Sequence, residues 1–536
     1  MRKNNKLNLI FLIIIVISTG MLSIFAVGNI FFPKNLNSGN SEKSTLKASS
    51  NSFGLEVCTA DEKQFYLVMC DDGNGNVITA WADFRKNYQI DIYAQKIDSS
   101  GNVKWLKNGI KIFNDNVSHI AGPKICDDSA GGAIISWLQE LDDDFIMKAQ
   151  RIDADGNLLW GNNGVIIANT TWYITWLLYS ELCSDGAGGA FILWEDGGIN
   201  IQKVGPFGNL LWSYNGEGFR PKICSDGVEG VIITWDDQDR GDEEEIGDVY
   251  AQRFDAYGNY LWGENGTVIC NTDLHQSSPE ICSDGVGGAI ITWYDERPGG
   301  YVQRVDSDGN CLWGNNGTKI CGESYSISDI KSDGENGMIL LYVQYVSLEV
   351  INKIYYYGQK LDSNGNEVWG ENGTKITEYE YGLDHIHEMQ ISSDGKGGAL
   401  FAWSLKKNFG LMDPCYNNSD VYVQKINSNG QTVWKDNGLP VCVPASDFRS
   451  ISSINLQICN DGAGGAIVSY EFVRTNNAFY GNFPYLWDIH AQRISSDGNL
   501  QWNVEPDWIF FLIIGVIIGG IAIAVIITVL LIKRRK

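Results

Sequence analysis

Gln303-Arg304-Val305-Asp306-Ser307-Asp308-Gly309-Asn310-Cys311-Leu312-Trp313 is one copy of the segment whose reading decides the fold. Its frame is Gln, then Lys or Arg, then an apolar residue, with Gly six positions after the Gln and Trp ten positions after it. The frame occurs eight times, at Gln95, Gln150, Gln202, Gln252, Gln303, Gln359, Gln424 and Gln492. The glycines are Gly101, Gly156, Gly208, Gly258, Gly309, Gly365, Gly430 and Gly498, and the tryptophans Trp105, Trp160, Trp212, Trp262, Trp313, Trp369, Trp434 and Trp502. A fixed internal period of this kind is the mark of a repeat architecture.

A second module lies upstream of each copy, as in Cys282-Ser283-Asp284-Gly285-Val286-Gly287-Gly288-Ala289-Ile290-Ile291-Thr292-Trp293. Its aspartate recurs at Asp72, Asp128, Asp185, Asp226, Asp284, Asp333, Asp394 and Asp461, 41 to 67 residues apart. Each unit reads as four strands: one ending near the Cys, one through Gly-Ala-Ile-Ile to Trp, one through Tyr-Ala-Gln-Arg, and one from Asn-Leu-Leu-Trp past Asn-Gly. Asp-Gly and Asn-Gly punctuate the hairpins, and residues 54–502 carry no helical period. Four short strands repeated eight times predict an all-β fold, a single eight-bladed β-propeller over residues 51–503. The last unit stops at Trp502 without a final strand, while Phe53-Gly54-Leu55-Glu56-Val57-Cys58 matches Asn437-Gly438-Leu439-Pro440-Val441-Cys442. The N-terminal strand is therefore expected to complete the eighth blade, in the sheet containing Asn499–Trp502, and to leave no open edge.

The chain has 536 residues, 44% hydrophobic and 20% charged, with 18 Trp and 60 Gly against 11 Pro, which excludes disordered and collagenous classes. A net charge of -25 argues against nucleic acid as a partner. The ends differ from the middle. Residues 509–532 are 24 apolar or small residues followed by Lys533, Arg534, Arg535 and Lys536, the pattern of a C-terminal transmembrane helix with a basic cytoplasmic tail (533–536). Residues 1–32, with Arg2, Lys3 and Lys6 before an apolar run, read as a signal peptide or a signal anchor. Residues 33–50, rich in Ser, Asn and Lys, read as a flexible linker. Together these place the propeller outside a cell membrane crossed once or twice. Gly515 and Gly519 form a Gly-x-x-x-Gly in the apolar segment, which allows a homodimer through that helix.

The third-to-fourth strand turn, Asp306-Ser307-Asp308-Gly309-Asn310 leading to Trp313, resembles the Asp-box of sialidase-like propellers. It departs from it in spanning four residues rather than three from Gly to Trp. The resemblance covers the repeat and implies fold rather than activity. The layout also resembles membrane-anchored repeat proteins of archaeal or bacterial surfaces.

The remaining motifs read as structural. Asp-x-Asp-Gly turns at Asp153 and Asp306, and the related one at Asp362, are turn caps rather than calcium loops, because copies at Gly205, Asn427 and Ser495 lack acidic ligands. Ten of the twelve Cys fall at two repeat positions, and most read as buried thiols; Cys311 with Cys321 is the local pair best placed for a disulfide. Trp-x-Asp-x-Arg at Trp81, Asp83 and Arg85, at Trp293, Asp295 and Arg297, and in shifted form at Trp235, Asp237 and Arg240, reads as a salt bridge rather than as an arginine cluster of a sialidase-like site. His385 and His387 read as surface loop residues. No metal, cofactor or catalytic residue is assigned.

The long connections, 169–180, 376–389, 404–420 and 471–488, join strands two to three or four to one, on the face opposite the glycine turns. Three tryptophans outside the repeat and the membrane segment, Trp172, Trp176 and Trp487, lie there with Tyr173, Tyr179, Phe479, Tyr480, Phe483 and Tyr485. They would supply flat surface for sugar rings or a protein partner. An acidic loop, Asp236, Asp237, Asp239, Asp242, Glu243, Glu244, Glu245 and Asp248, favours a neutral or cationic ligand. The expected function is a surface-anchored recognition, adhesion or protein-interaction module whose partners are membrane lipid and a protein or carbohydrate ligand. A sialidase-like glycoside hydrolase and a structural surface-layer component are the alternatives.

Overall fold

The computed structural model describes residues 54–502 apart from the internal stretches 87–88, 114–119, 142–143, 171–179, 238–246, 321, 323–324, 348–351, 381–383, 408–418, 443–454 and 476–484. The chain divides into two compact units, Met1–Ser50 and Asn51–Lys536, and all described residues belong to the second. The expected signal segment 1–32, the linker 33–50, the apolar segment 509–532 with Gly515 and Gly519, and the tail 533–536 lie outside the described residues. Among the described residues no helix is long and apolar enough to cross a membrane.

Eight four-stranded antiparallel sheets make an eight-bladed β-propeller. Seven blades are simple meanders of consecutive strands, such as Phe219–Ser225, Val231–Asp237, Asp248–Phe254 and Thr267–Cys270 in the fourth. The second and third strands of a blade are packed on both faces: every residue of Ile199–Val204 is buried, including Asn200, Gln202 and Lys203, as is every residue of Ala190–Glu195. The eighth blade takes Gln457–Asn460, Ala466–Thr475 and Tyr485–Ile494 from the end of the chain, and its outer strand, Leu55–Cys58, from the beginning. Leu55 pairs with Ala491 and Glu56 with His490, and Val57 and Cys58 are buried against the blade. Closure thus occurs as expected, although the partner is Tyr485–Ile494; Asn499–Trp502 joins that strand through an Ile494–Leu500 bridge and a Gln501 N–H bond to the Arg493 carbonyl (2.8 Å).

The expected fourth strand is displaced. In the fourth blade it starts at Thr267, beyond Asn265-Gly266, and the Asn259–Trp262 segment makes a single bridge, Phe254 to Tyr260. The chain first turns, with Gly263 at φ +80° and Gly266 at φ +72°. Trp262 turns under the blade, buried, and donates its Nε1–H to the Ser307 carbonyl of the next blade, 3.0 Å away. The third blade is the exception, its fourth strand Leu210–Gly216 running straight through Trp212.

Three repeat residues serve that turn. Gln303 accepts the Trp313 N–H (2.8 Å) and donates to the Gly314 carbonyl (2.7 Å). Gly309 adopts φ +87°, and a Cβ there would lie 2.8 Å from Cγ of Trp262 in the preceding blade. The same indole contact recurs at all eight repeat glycines, Gly101 meeting Trp502 across the seam. Gly309→Ala should therefore cost about 1–3 kcal/mol, combining left-handed strain with displacement of an indole. Denaturant unfolding of the variant checks this; an unchanged midpoint would remove the glycine from the joint.

Aspartate and cation complete the joint. Each repeat Asp is buried, its Oδ1 capping its own turn: Asp284 accepts from Val286 N (2.9 Å) and Gly288 N (2.8 Å). Its Oδ2 meets the Lys or Arg that follows the repeat Gln, in every blade: Lys96–Asp72, Arg151–Asp128, Lys203–Asp185, Arg253–Asp226, Arg304–Asp284, Lys360–Asp333, Lys425–Asp394 and Arg493–Asp461. Each cation then donates to a carbonyl of the following blade. The arginines reach the third-to-fourth strand turn (Arg253 to Ser307, 3.0 Å), and the lysines reach the first-to-second strand turn (Lys425 to Gly464, 2.6 Å). Arg493 to the Ser99 carbonyl carries the series from the eighth blade to the first.

Candidate functional site at the channel mouth

The first strand of each blade lines the central channel. Four residues before each repeat Asp stand Val68, Lys124, Glu181, Lys222, Glu280, Asp329, Gln390 and Gln457, and together they line a cavity of about 530 Å³. Lys222 bridges Glu181 and Glu280 of the neighbouring blades, 3.2 Å from each, and Lys331 pairs with Asp329 at 3.2 Å. Burial alone would lower the Lys222 ammonium, but the two glutamates hold it well above its ordinary value, so it stays charged. Lys124 differs: its ammonium has no ion pair or hydrogen bond among the described residues, and it lines two cavities.

The second cavity, about 300 Å³, opens where strands two to three and four to one connect, and is lined by Tyr66, Pro123, Lys124, Trp137, Ser180, Asn455 and Gln457 among others. Tyr66 is 45% exposed and sits at φ +58° where a bulge shifts the register between Phe65 and Val68. Such a bulge re-aims a side chain out of the strand. Behind the wall lies Glu471, fully buried, whose Oε1 accepts from Leu67 N (3.2 Å) and Asn455 Nδ2 (2.7 Å) while Oε2 has no hydrogen-bond partner. Burial, with Glu388 adding to it, pushes its carboxyl up to about 8, against the pull of those donors. The sequence reading missed this cavity because its residues differ from blade to blade.

Of the expected aromatic face, Trp172, Tyr173, Trp176, Tyr179, Phe479, Tyr480 and Phe483 lie outside the described residues. Ser180, the next described residue after 171–179, lines the mouth cavity. Tyr485 and Trp487 are strand rather than loop residues, paired with Thr475 and Val473, and Trp487 is half-buried. In the acidic group, Asp236 and Asp248 also belong to strands; both are buried, and Asp236 holds Arg220 (2.8 Å) and the N–H of Ser278 in the next blade (2.8 Å). Asp237 is half-buried at a strand end. Asp239, Asp242, Glu243, Glu244 and Glu245 lie outside the described residues, as does Arg240.

Asp83 receives Arg85 and the Trp81 indole (3.0 Å), and Asp295 receives Arg297 and Trp293 (2.7 Å). Each guanidinium also lies 3.7 Å above a tyrosine ring, Tyr93 or Tyr301. These arginines are spent on the fold. His385 and His387 stand on the strand Asp384–Ser393 rather than in a loop, and His387 is exposed. Among the described residues no group of His, Cys, Asp and Glu is arranged to hold a metal. Asp306 is instead capped: burial would raise its pKa, but the Asn310 amide and backbone N–H groups hold it below the ordinary value. The ten described cysteines are free, including Cys311, while Cys321 lies outside the described residues. Burial raises Cys58 and Cys282 to about 12, so both are thiols rather than nucleophilic thiolates.

No family model matches the chain, and no curated protein matches it in sequence. Solved structures do resemble it. A puromycin hydrolase is 11% identical with a TM-score of 0.39, over 81% of this chain and 63% of that one, so the chain spans less than two thirds of its length. An ulvan lyase is 12% identical with a TM-score of 0.36, over 72% and 96%. An α-L-arabinanase of Penicillium chrysogenum is 12% identical with a TM-score of 0.31, over 70% and 98%. Likeness at this level concerns fold alone.

Proposed function

We propose that this propeller is a membrane-anchored recognition module that binds its ligand at the channel mouth. The observation carrying this reading is a division of labour. The recurring Gln, Asp, Lys or Arg, Gly and Trp are consumed in the joints, whereas the mouth is built from residues peculiar to single blades, with an exposed ring at Tyr66 and an unpaired ammonium at Lys124. A ring platform beside a cation and two amides, Asn455 and Gln457, suits a sugar or peptide that turns an acidic or acceptor-rich group toward Lys124. That sign is opposite to the one read from the acidic loop. The glycosidase alternative is less favoured, since no carboxylate stands among the described residues lining the mouth cavity and Glu471 has no access to solvent. The anchor is the apolar segment 509–532.

The full chain in lipid nanodiscs, applied to glycan and peptide arrays and to glycoside substrates, tests the reading. A ligand should emerge whose affinity falls about 10-fold or more in Lys124→Ala and in Tyr66→Ala. Turnover of a glycoside, or a ligand indifferent to both changes, would overturn it.

A further inference from the structure

Two turn positions per blade lie at the end of the propeller opposite the mouth. One is two residues after the start of the third-to-fourth strand turn, just before its Gly; the other is two residues after the repeat Asp. At the first position six blades carry Ser100, Asp155, Asp308, Asn364, Asn429 and Asp497, while the third and fourth carry Phe207 and Tyr257, 88% and 83% exposed. At the second, the fourth and fifth blades carry Val228 and Val286, 65% and 55% exposed, where other blades have Ala, Asn, Glu or Lys. At these two positions bulky apolar side chains are thus confined to three successive blades. None of them is used by the joints, whose contacts at these turns come from backbone carbonyls and the glycines.

The same end of the propeller holds the departure point of the anchor. Trp502 packs beneath the eighth blade against Gly101 of the first blade's turn. Residue 509 follows it by seven chain steps, which span at most about 25 Å even when extended. In an eight-membered ring the fourth blade stands across the channel from the eighth, so tether and apolar tips mark opposite sides of one face. Aromatic tips of this kind favour the boundary between lipid headgroups and acyl chains. The geometry points to a second membrane contact: Phe207, Tyr257, Val228 and Val286 seat the far side of the disc on the lipid surface, holding the channel mouth away from it. This inference rests on the anchor reading of residues 509–532. Asp255 in the Tyr257 turn and Asp306 in the turn of the next blade make a zwitterionic surface the better partner than an anionic one.

The experiment uses the full chain in phosphatidylcholine vesicles, with Cys311, the exposed thiol among the described residues, changed to Ser. A fluorophore is placed singly by Phe207→Cys, Tyr257→Cys, Asn364→Cys or Asn429→Cys, and the unsubstituted parent gives the background. Nitroxide lipids should quench the 207 and 257 labels at least three-fold more than the 364 and 429 labels, and Phe207→Ser should reduce quenching at 257. Equal or absent quenching in vesicles that retain the protein through an alkaline carbonate wash overturns the seat while leaving the anchor standing. Labels shielded from aqueous iodide but untouched by nitroxide lipid would mean a protein occupant, and would overturn it too. Loss of the protein in the carbonate wash overturns the anchor reading, and the seat with it.

Discussion

Excision of Leu55–Thr59 is expected to cost the propeller about 5 kcal/mol or more and to broaden its unfolding transition. The excised strand carries two fully buried side chains, Val57 and Cys58, and the whole outer ladder of the eighth blade. Burial of two such side chains supplies about 3–5 kcal/mol, before the ladder and the surface newly exposed on Ile489 and Ala491 are included. Loss of the strand also exposes the edge of Tyr485–Ile494, a long strand with unpaired backbone groups, so the variant should self-associate. Thermal and urea unfolding of the full chain, with light scattering, provide the check. Grafting a second copy of residues 54–59 after Trp502 should restore both properties. A variant that melts where the unaltered chain does would show that the ring is not held at this seam.

The second large effect concerns Glu471. Its carboxyl is raised to about 8 in the folded chain from an ordinary 4.5, so the folded state holds a proton that the unfolded state releases. Between those values the native chain binds more protons, and stability falls as pH rises; the contribution is complete below about 4.5 and lost as pH passes about 8. The shift corresponds to about 3–5 kcal/mol. Glu471→Gln keeps an acceptor for Leu67 N and Asn455 without the titration. It should be several kcal/mol more stable than the unaltered chain at pH 8.5 and about equal to it at pH 4.5. Paired urea titrations at the two pH values decide, and a constant difference between the proteins would locate the proton elsewhere.

The blade count and the N-terminal closure were legible because Gln, Gly and Trp keep one spacing in every unit, and a joint that cannot change length imposes that regularity. The fourth strand was misplaced because an alternating run ending in Trp has the period of a strand, and of the described blades only the third carries on through that Trp as a strand, Leu210–Gly216. Asp284 and Arg304 were both noticed as recurrent, but not as partners, since 20 residues and two strand reversals separate them. The channel mouth was illegible for a different reason. Val68, Lys124 and Glu181 occupy one repeat position and share no chemistry, so a search for similarity passes over them. Asp236 and Asp248 looked like loop acids because a charge run hides the strand ends within it.

The placement of the chain's exit has a mechanical meaning. The third strand of the eighth blade leads down to Trp502, with Ala466–Thr475 paired along one side and Leu55–Cys58 along the other. A pull between a ligand at the mouth and the chain beyond Trp502 runs along these strands, and loads both ladders at once in shear. Their hydrogen bonds then resist together instead of opening one after another, as they would if the outer strand were peeled from its end. Had the chain ended on an edge strand, the same pull would have unzipped it. Closing the eighth blade with the beginning of the chain therefore puts the strand that takes the pull in the interior of its sheet.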